Sequence, residues 1–179
     1  LDTLEIWEEK IALAGADVIK DRIDYIKMLQ VKATEIYRGI SGEKEELSIK
    51  YLSNVKYESE DKESIAKIYF DKMKKNRPND LYLKNTTSGP HRDDIEILIN
   101  GISARKYGSQ GQQRSASLAL KLGEAEIIKE LKGEHPIILL DDVMSELDST
   151  RQNYILNKMT GKQVFITCCE KETISKLCA

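Results

Sequence analysis

A chain of 179 residues, 40% hydrophobic and 32% charged, has apolar material for one ordinary domain or two small lobes under a heavily charged surface. Its net charge of −2 gives no bulk electrostatic sign of a nucleic-acid partner, and no apolar run approaches the roughly 18 residues of a membrane helix. Cys168, Cys169 and Cys178 crowd the end of the chain and offer neither a disulfide framework nor a spaced metal quartet, which points to a reducing, cytoplasmic setting. The sequence opens on Leu1 without a signal-peptide pattern and is amphipathic almost at once, so it reads as a segment of a longer protein.

Residues 4–38 predict a long amphipathic helix, with a possible break near Gly15. One apolar series (Leu4, Ile11, Val18, Tyr25, Leu29, Ile36) runs beside another (Ala12, Ala16, Ile19, Ile23, Ile26, Ala33), the broad stripe of a helix packed on neighbours. Gly39 and Gly42 end it. Leu47, Ile49 and Tyr51 alternate with polar residues as a short strand. A second helix over 62–75 offers Ile65, Ile68, Tyr69 and Met73 to a core and is expected to stop before Pro78. Ile95, Ile97 and Ile99 lead into Asn100-Gly101, a strong signal for a type I′ hairpin returning through Ile102-Ser103-Ala104.

A helix over 110–131 follows, with Ala116, Ala119, Leu120, Ala125, Ile128 and Leu131 as its expected buried face. A continuous apolar strand over 137–140, a short helix over 150–159 and a strand over 163–167 complete the chain. Strand–helix–strand after a helix is the rhythm of a mostly parallel α/β sheet. The expected class is mixed α/β. A helical lobe with a hairpin is expected over residues 1–108, and the last part of an α/β sheet over residues 109–179. Removing neighbouring strands from such a sheet would expose apolar edges around 137–140 and 164–166 and invite self-association.

Charge is unevenly spread. Residues 62–121 carry twelve Lys/Arg against six Asp/Glu, an excess of +6 that leaves −8 for the rest. A basic middle suits either a phosphate-binding face or a solvated surface. Its densest run, Lys72, Lys74, Lys75 and Arg77, suits either DNA backbone or an ordinary solvated helix end.

Two constellations carry chemistry. The strand Ile137-Ile138-Leu139-Leu140 delivers Asp141 and Asp142 at its carboxyl edge, where ligands bind in open α/β sheets and where oxygen donors suit Mg2+. A buried strand ending in a polar turn would read the same way. Upstream, Tyr107-Gly108-Ser109-Gln110-Gly111-Gln112-Gln113-Arg114 opens a helix, with Ser109 and Gln112 at capping-box spacing. Small residues at a helix start expose backbone N–H groups to a phosphate, although an ordinary capped start looks similar.

Order and spacing join these pieces. A Ser-Gln-Gly-Gln-Gln helix start, a long helix, a strand ending Asp141-Asp142 and then Ser145-Glu146-Leu147-Asp148 resemble the second half of an ABC-type ATPase head. Those pieces would be signature, Walker B and D-loop. The wording of three segments resembles the RecF family: Ser88-Gly89-Pro90-His91-Arg92-Asp93-Asp94, the stretch from Ala104 to Arg114, and the stretch from Leu140 to Asp148. The resemblance covers the whole chain, as the C-terminal half.

That resemblance implies an ATP-gated DNA-binding protein of recombinational repair and replication, within the SOS response. It would dimerise head to tail around ATP, bind single-strand/double-strand DNA, and load recombinase with RecR and RecO, without any membrane. Asp141 would hold Mg2+, and Asp142 would orient or activate the attacking water. Ser109, Gln110, Gly111, Gln112 and Gln113 would meet the γ-phosphate held by the opposite subunit, while Ser145 and Asp148 would contact that subunit. His91, Arg92, Arg105, Lys106 and Arg114, with Lys72, Lys74 and Lys75, are candidates for DNA contact or coupling.

No G-x-x-x-x-G-K-[ST] occurs, so the phosphates lack their cradle and the chain alone is expected neither to bind ATP tightly nor to turn it over. Cys168 and Cys169 stand where many ABC heads carry a His. A nucleotide-independent DNA- or RecR-binding module, or half of another SMC-like head, are the competing readings; the latter would require coiled-coil heptads before Ser109.

Overall fold

The computed structural model describes residues 2–144 and 147–167. In chain order the elements are α1 (Asp2–Ile40), β1 (Leu47–Leu52), α2 (Lys62–Leu83), a 3-10 turn (Pro90–Arg92), β2 (Asp94–Ile99), β3 (Ile102–Ser103), α3 (Ala104–Tyr107), α4 (Gln110–Lys132), β4 (Ile138–Asp141), α5 (Ser149–Met159) and β5 (Val164–Thr167). One sheet has the order β1-β2-β3; the other pairs β4 with β5. The mixed α/β class is as expected. Among the described residues no helix is long and apolar enough to cross a membrane.

The chain forms two compact units, residues 1–27 with 50–96, and residues 28–49 with 97–179. The core of the first contains Ala12, Ala16, Ile19, Ile23, Val55, Ile65, Ala66, Tyr69 and Met73. Asp17 pairs with Lys62 at 2.7 Å and Glu5 with Lys74 at 2.8 Å, while Glu8 pairs with Arg77, so α1 and α2 run antiparallel. Helix α1 does not break at Gly15. A Cβ there would lie 2.4 Å from the Tyr69 ring, so the glycine serves close approach of that ring.

Helix α2 also runs on past its expected stop, through Pro78 to Leu83. An interior proline costs a helix about 3 kcal/mol through its missing N–H and its clash with the preceding turn. Tertiary bonds on the surrounding turns offset this. Asn76 donates to the Ser88 hydroxyl at 2.7 Å, Arg77 grips Glu8, and Asp80 accepts from the Thr87 N–H at 3.1 Å and its hydroxyl at 2.6 Å. Lys84 then closes the helix in the left-handed region at φ 52°.

In the second unit, Asn100 (φ 52°) and Gly101 (φ 78°) make the hairpin turn, with Leu98 opposite Ser103 and Ile99 opposite Ile102. The returning strand is shorter than expected, because Ala104 already begins α3. Helix α4 turns a partly different face inward. Ala116, Ala119 and Ala125 are buried as expected, but Ser115, Leu118, Leu122 and Ile127 join them, while Ile128 and Leu131 are exposed. Gly123 sets this rotation: a Cβ there would sit 3.2 Å from the Ala33 backbone of α1, so this side of α4 faces α1. Strands β4 and β5 are parallel and in register from Ile138↔Val164 to Asp141↔Thr167, with α5 as the crossover. Ile138 and Leu140 are buried, whereas Ile137, Leu139 and Phe165 are exposed, the last two side by side.

Candidate functional site

Period-2 burial along β4 sends Ile138 and Leu140 inward and leaves Asp141 and Asp142 exposed where the strand ends. Thr167, at the end of β5, ties this edge together. Its hydroxyl donates to Asp141 Oδ1, and the Asp142 N–H reaches both the Thr167 carbonyl at 3.2 Å and its Oγ1 at 3.0 Å. Asp142 has φ 51°, the left-handed region, which Asp tolerates better than most side chains. Among the described residues no cluster of three or more His, Cys, Asp or Glu could form a protein cage for a metal. Two adjacent exposed carboxylates fit instead an ion such as Mg2+, which keeps several of its waters.

Ser109 caps α4 with extended backbone, φ −62° and ψ 159°. The full capping box is present: the Ser109 hydroxyl accepts from the Gln112 N–H at 3.2 Å, and the Gln112 carboxamide oxygen accepts from the Ser109 N–H at 2.9 Å. Gln113 is also engaged, donating to the carbonyls of Ala104 and Gly108, both at 3.0 Å. Gln110, Gln113 and Arg114 line a groove of about 730 Å³ together with Leu139, Asp141 and Asp142. The helix start and the strand-end acids therefore share one groove. Arg105 and Lys106 are exposed on α3 in the same unit.

Asp148 caps α5, accepting from the Arg151 N–H at 3.0 Å and pairing with the Arg151 guanidinium at 3.2 Å. Arg151 also donates to the Gly111 carbonyl at 3.4 Å and to the buried Ser115 hydroxyl at 3.2 Å. It thus links the start of α4 to that of α5. Sequence reasoning missed Arg151: its pairing with Asp148 is local, but its bonds to Gly111 and Ser115 reach 40 and 36 residues back along the chain. The expectations for Ser145, Cys168 and Cys169 lie outside the described residues.

The other predicted residues belong to the first unit. His91 and Arg92 are exposed on the 3-10 turn, and the His91 ring meets the Thr86 carbonyl at 2.9 Å. Asp93 behind them is turned inward, its side chain only 2% exposed. It accepts from the Asn54 N–H at 2.7 Å, from Arg22 at 3.3 Å, and from the Tyr51 hydroxyl. Burial, with Asp93 beside it, pushes the Tyr51 phenol up to about 12. Gly89 has φ 133°, and a Cβ there would meet the Tyr69 hydroxyl at 2.1 Å, so this turn admits only glycine.

The basic run is largely spent on internal partners. Lys72 reaches the Asn54 side chain at 2.8 Å, and its ammonium is held below the ordinary lysine range by burial and then by nearby Lys56. Lys74 pairs with Glu5 and Arg77 with Glu8, leaving Lys75 as an exposed cation beside them.

Fold and site together define a mixed α/β protein whose groove joins the start of a capped helix to the carboxyl end of strand β4. No family profile matches the chain. It is 44% identical over 171 residues to the DNA replication and repair protein RecF of Clostridium tetani, covering 96% of this chain and 47% of that protein. The RecF of Ruminiclostridium cellulolyticum is 42% identical over 178 residues, covering 99% and 48%. Two solved structures of the recombination mediator protein RecF of the RecFOR pathway, RecF–ATP and RecF–ATPrS, match with TM-scores of 0.84 and 0.83. Both are 42% identical and cover 96% of this chain and 46% of theirs. The chain belongs to the RecF family of DNA replication and repair proteins. It spans about half the length of the curated relatives it matches.

Proposed function

We propose that this chain is the C-terminal part of an ATP-gated DNA-binding protein of recombinational repair. It would supply the signature segment and the strand-end acids, with the phosphate-cradling loop on the other half of the protein. The observation that carries this reading is an exposed, fully capped helix start at Ser109 together with two exposed acids, Asp141 and Asp142, at the carboxyl end of β4.

In this reading Asp141, oriented by the Thr167 hydroxyl, holds a Mg2+ ion that would neutralise phosphate charge when bound. Asp142 accepts a hydrogen bond from the attacking water and orients it. An acid one methylene shorter than Glu at that place suits slow, switch-like turnover. The N-terminus of α4 offers its backbone N–H groups to a terminal phosphate on a second subunit. Asp148 lies on the segment that meets that subunit. Exposed His91, Arg92, Lys75, Arg105 and Lys106 contact DNA backbone or couple it to nucleotide, and RecO- and RecR-like proteins are the partners.

The test compares the chain alone with the complete protein containing it. The complete protein is expected to hydrolyse ATP slowly, and Asp142→Asn to abolish turnover while ATP-dependent dimerisation persists. The chain alone is expected to show neither turnover nor ATP-dependent DNA binding. Turnover by the chain alone, lost in Asp142→Asn, would overturn the division of labour. Tight DNA binding by the chain that is indifferent to ATP would favour a nucleotide-independent module.

A further inference from the structure

Gln112 is expected from its motif to meet nucleotide, yet both ends of its carboxamide are engaged. Its oxygen accepts from the Ser109 N–H at 2.9 Å, and its nitrogen donates to Glu45 Oε1 at 2.6 Å. The other Glu45 oxygen accepts from the Tyr37 hydroxyl at 2.7 Å. Tyr37 is wholly buried, and burial followed by the Glu45 contact holds its phenol far above the ordinary range, so it remains a donor at physiological pH. Glu45 lies on the short connection between α1 and β1. That connection is itself braced: the Glu43 N–H reaches the Arg38 carbonyl at 2.8 Å, and Ser41 Oγ lies 3.4 Å from the Glu45 N–H. A chain of hydrogen bonds therefore runs from the core through a half-buried carboxylate to the cap of α4.

The first four N–H groups of a helix lack intrahelical partners. Here the capping box occupies those of Ser109 and Gln112. The N–H groups of Gln110 and Gly111 are the remaining pair, and the Ser109 hydroxyl, an acceptor toward Gln112, keeps its own hydrogen to donate. A bond from an amide to a carboxylate is charge-assisted, stronger than the neutral bonds of an ordinary cap.

We infer that Glu45 is a positioning residue for the phosphate-facing turn of α4. It clamps the Gln112 carboxamide in the capping box and so presents Ser109 Oγ and the Gln110 and Gly111 N–H groups to the terminal phosphate of a nucleoside triphosphate. Gln112 thereby becomes a strut of the site rather than a ligand contact. The inference rests on reading Ser109 to Gln113 as the phosphate-facing segment.

The experiment uses the complete protein, with sedimentation in ATP to measure dimerisation and a fluorescent ATP analogue to measure binding by the dilute monomer. Glu45→Ala is expected to weaken ATP-dependent dimerisation about tenfold and to leave analogue binding unchanged. Tyr37→Phe, which keeps the buried ring, weakens dimerisation less, and Glu45→Ala combined with Gln112→Ala is no worse than Gln112→Ala alone. Unchanged dimerisation in Glu45→Ala, additive losses in the double variant, or loss of analogue binding together with dimerisation overturns the inference. Ser109→Arg separates the two levels. If it abolishes dimerisation while Glu45→Ala does not, only the clamp fails; if it too has no effect, the reading of the segment fails and the clamp falls with it.

Discussion

In the unit formed by residues 1–27 and 50–96, Asp93 is turned inward and most of the basic run is engaged by partners within the unit, while His91, Arg92 and Asp94 stay exposed. Asp93 gathers Tyr51, Asn54 and Arg22, while Lys72, Lys74 and Arg77 meet Asn54, Glu5 and Glu8. In the other unit, the acids of the recognisable segment, Asp141 and Asp142, stand exposed at a strand end, beside a groove bordered by exposed Leu139. Both stretches look equally motif-like in sequence. The difference teaches that a distinctive segment can be distinctive for opposite physical reasons. One set of residues is tied into a polar network within its unit, and the other stands at an exposed strand end.

The sharpest way to break that contrast is to remove the buried carboxylate. Asp93→Ala leaves the Arg22 guanidinium, the Tyr51 hydroxyl and the Asn54 N–H without their shared acceptor, and loss of one partner from a buried charged network typically costs about 3–5 kcal/mol. Urea unfolding of the chain should register a loss of that order. A loss below about 1 kcal/mol would show that Asp93 is not the keystone and that the first unit is as permissive as the second.

Alkaline pH probes the same network without mutation. The Tyr51 phenol is pushed up to about 12, and burial also raises Tyr57 and Tyr69 in the same unit. An unfolded tyrosine titrates near pH ~10. Above that pH the unfolded chain has released protons that the folded chain retains, so stability falls as pH rises. This contribution is complete below about pH 10 and is lost as pH climbs toward 12. Urea midpoints measured across this window should drop, and Tyr51→Phe should flatten part of the drop. A midpoint independent of pH there would remove the tyrosine–Asp93 network from the account of stability.

Much of this architecture is legible in the sequence because it is local. The alternation of Ile95, Ile97 and Ile99 before Asn100-Gly101 marks the hairpin, and the apolar run before Asp141 marks β4. The Ser109 and Gln112 spacing marks a capping box that is fully formed. What escaped is what depends on distant partners. Pro78 reads as a stop until Asn76, Arg77 and Asp80 find Ser88, Glu8 and Thr87. Lys72 reads as a surface charge until its bonds to Asn54 are seen. Glu45 reads as one acid among several, yet its partner Gln112 lies 67 residues away. Helical periodicity allowed Ile128 and Leu131 a place in the core, but Gly123 decides which side of α4 meets α1.

The smallest expected effect is the one that completes the comparison. Asp142 is exposed, and its left-handed backbone is a conformation that Asn adopts at least as readily as Asp. Asp142→Asn keeps the size of the side chain and leaves the backbone bonds to Thr167 available, so the stability of the chain should stay within about 0.5 kcal/mol of the parent. The same substitution is expected to abolish turnover in the complete protein. Small stability changes at Asp142 set against large ones at Asp93 would confirm that the two segments are kept for different reasons. A loss at Asp142 comparable to that at Asp93, measured by the same urea titration, would instead make the strand-end acid a structural residue and weaken its assignment to the reaction.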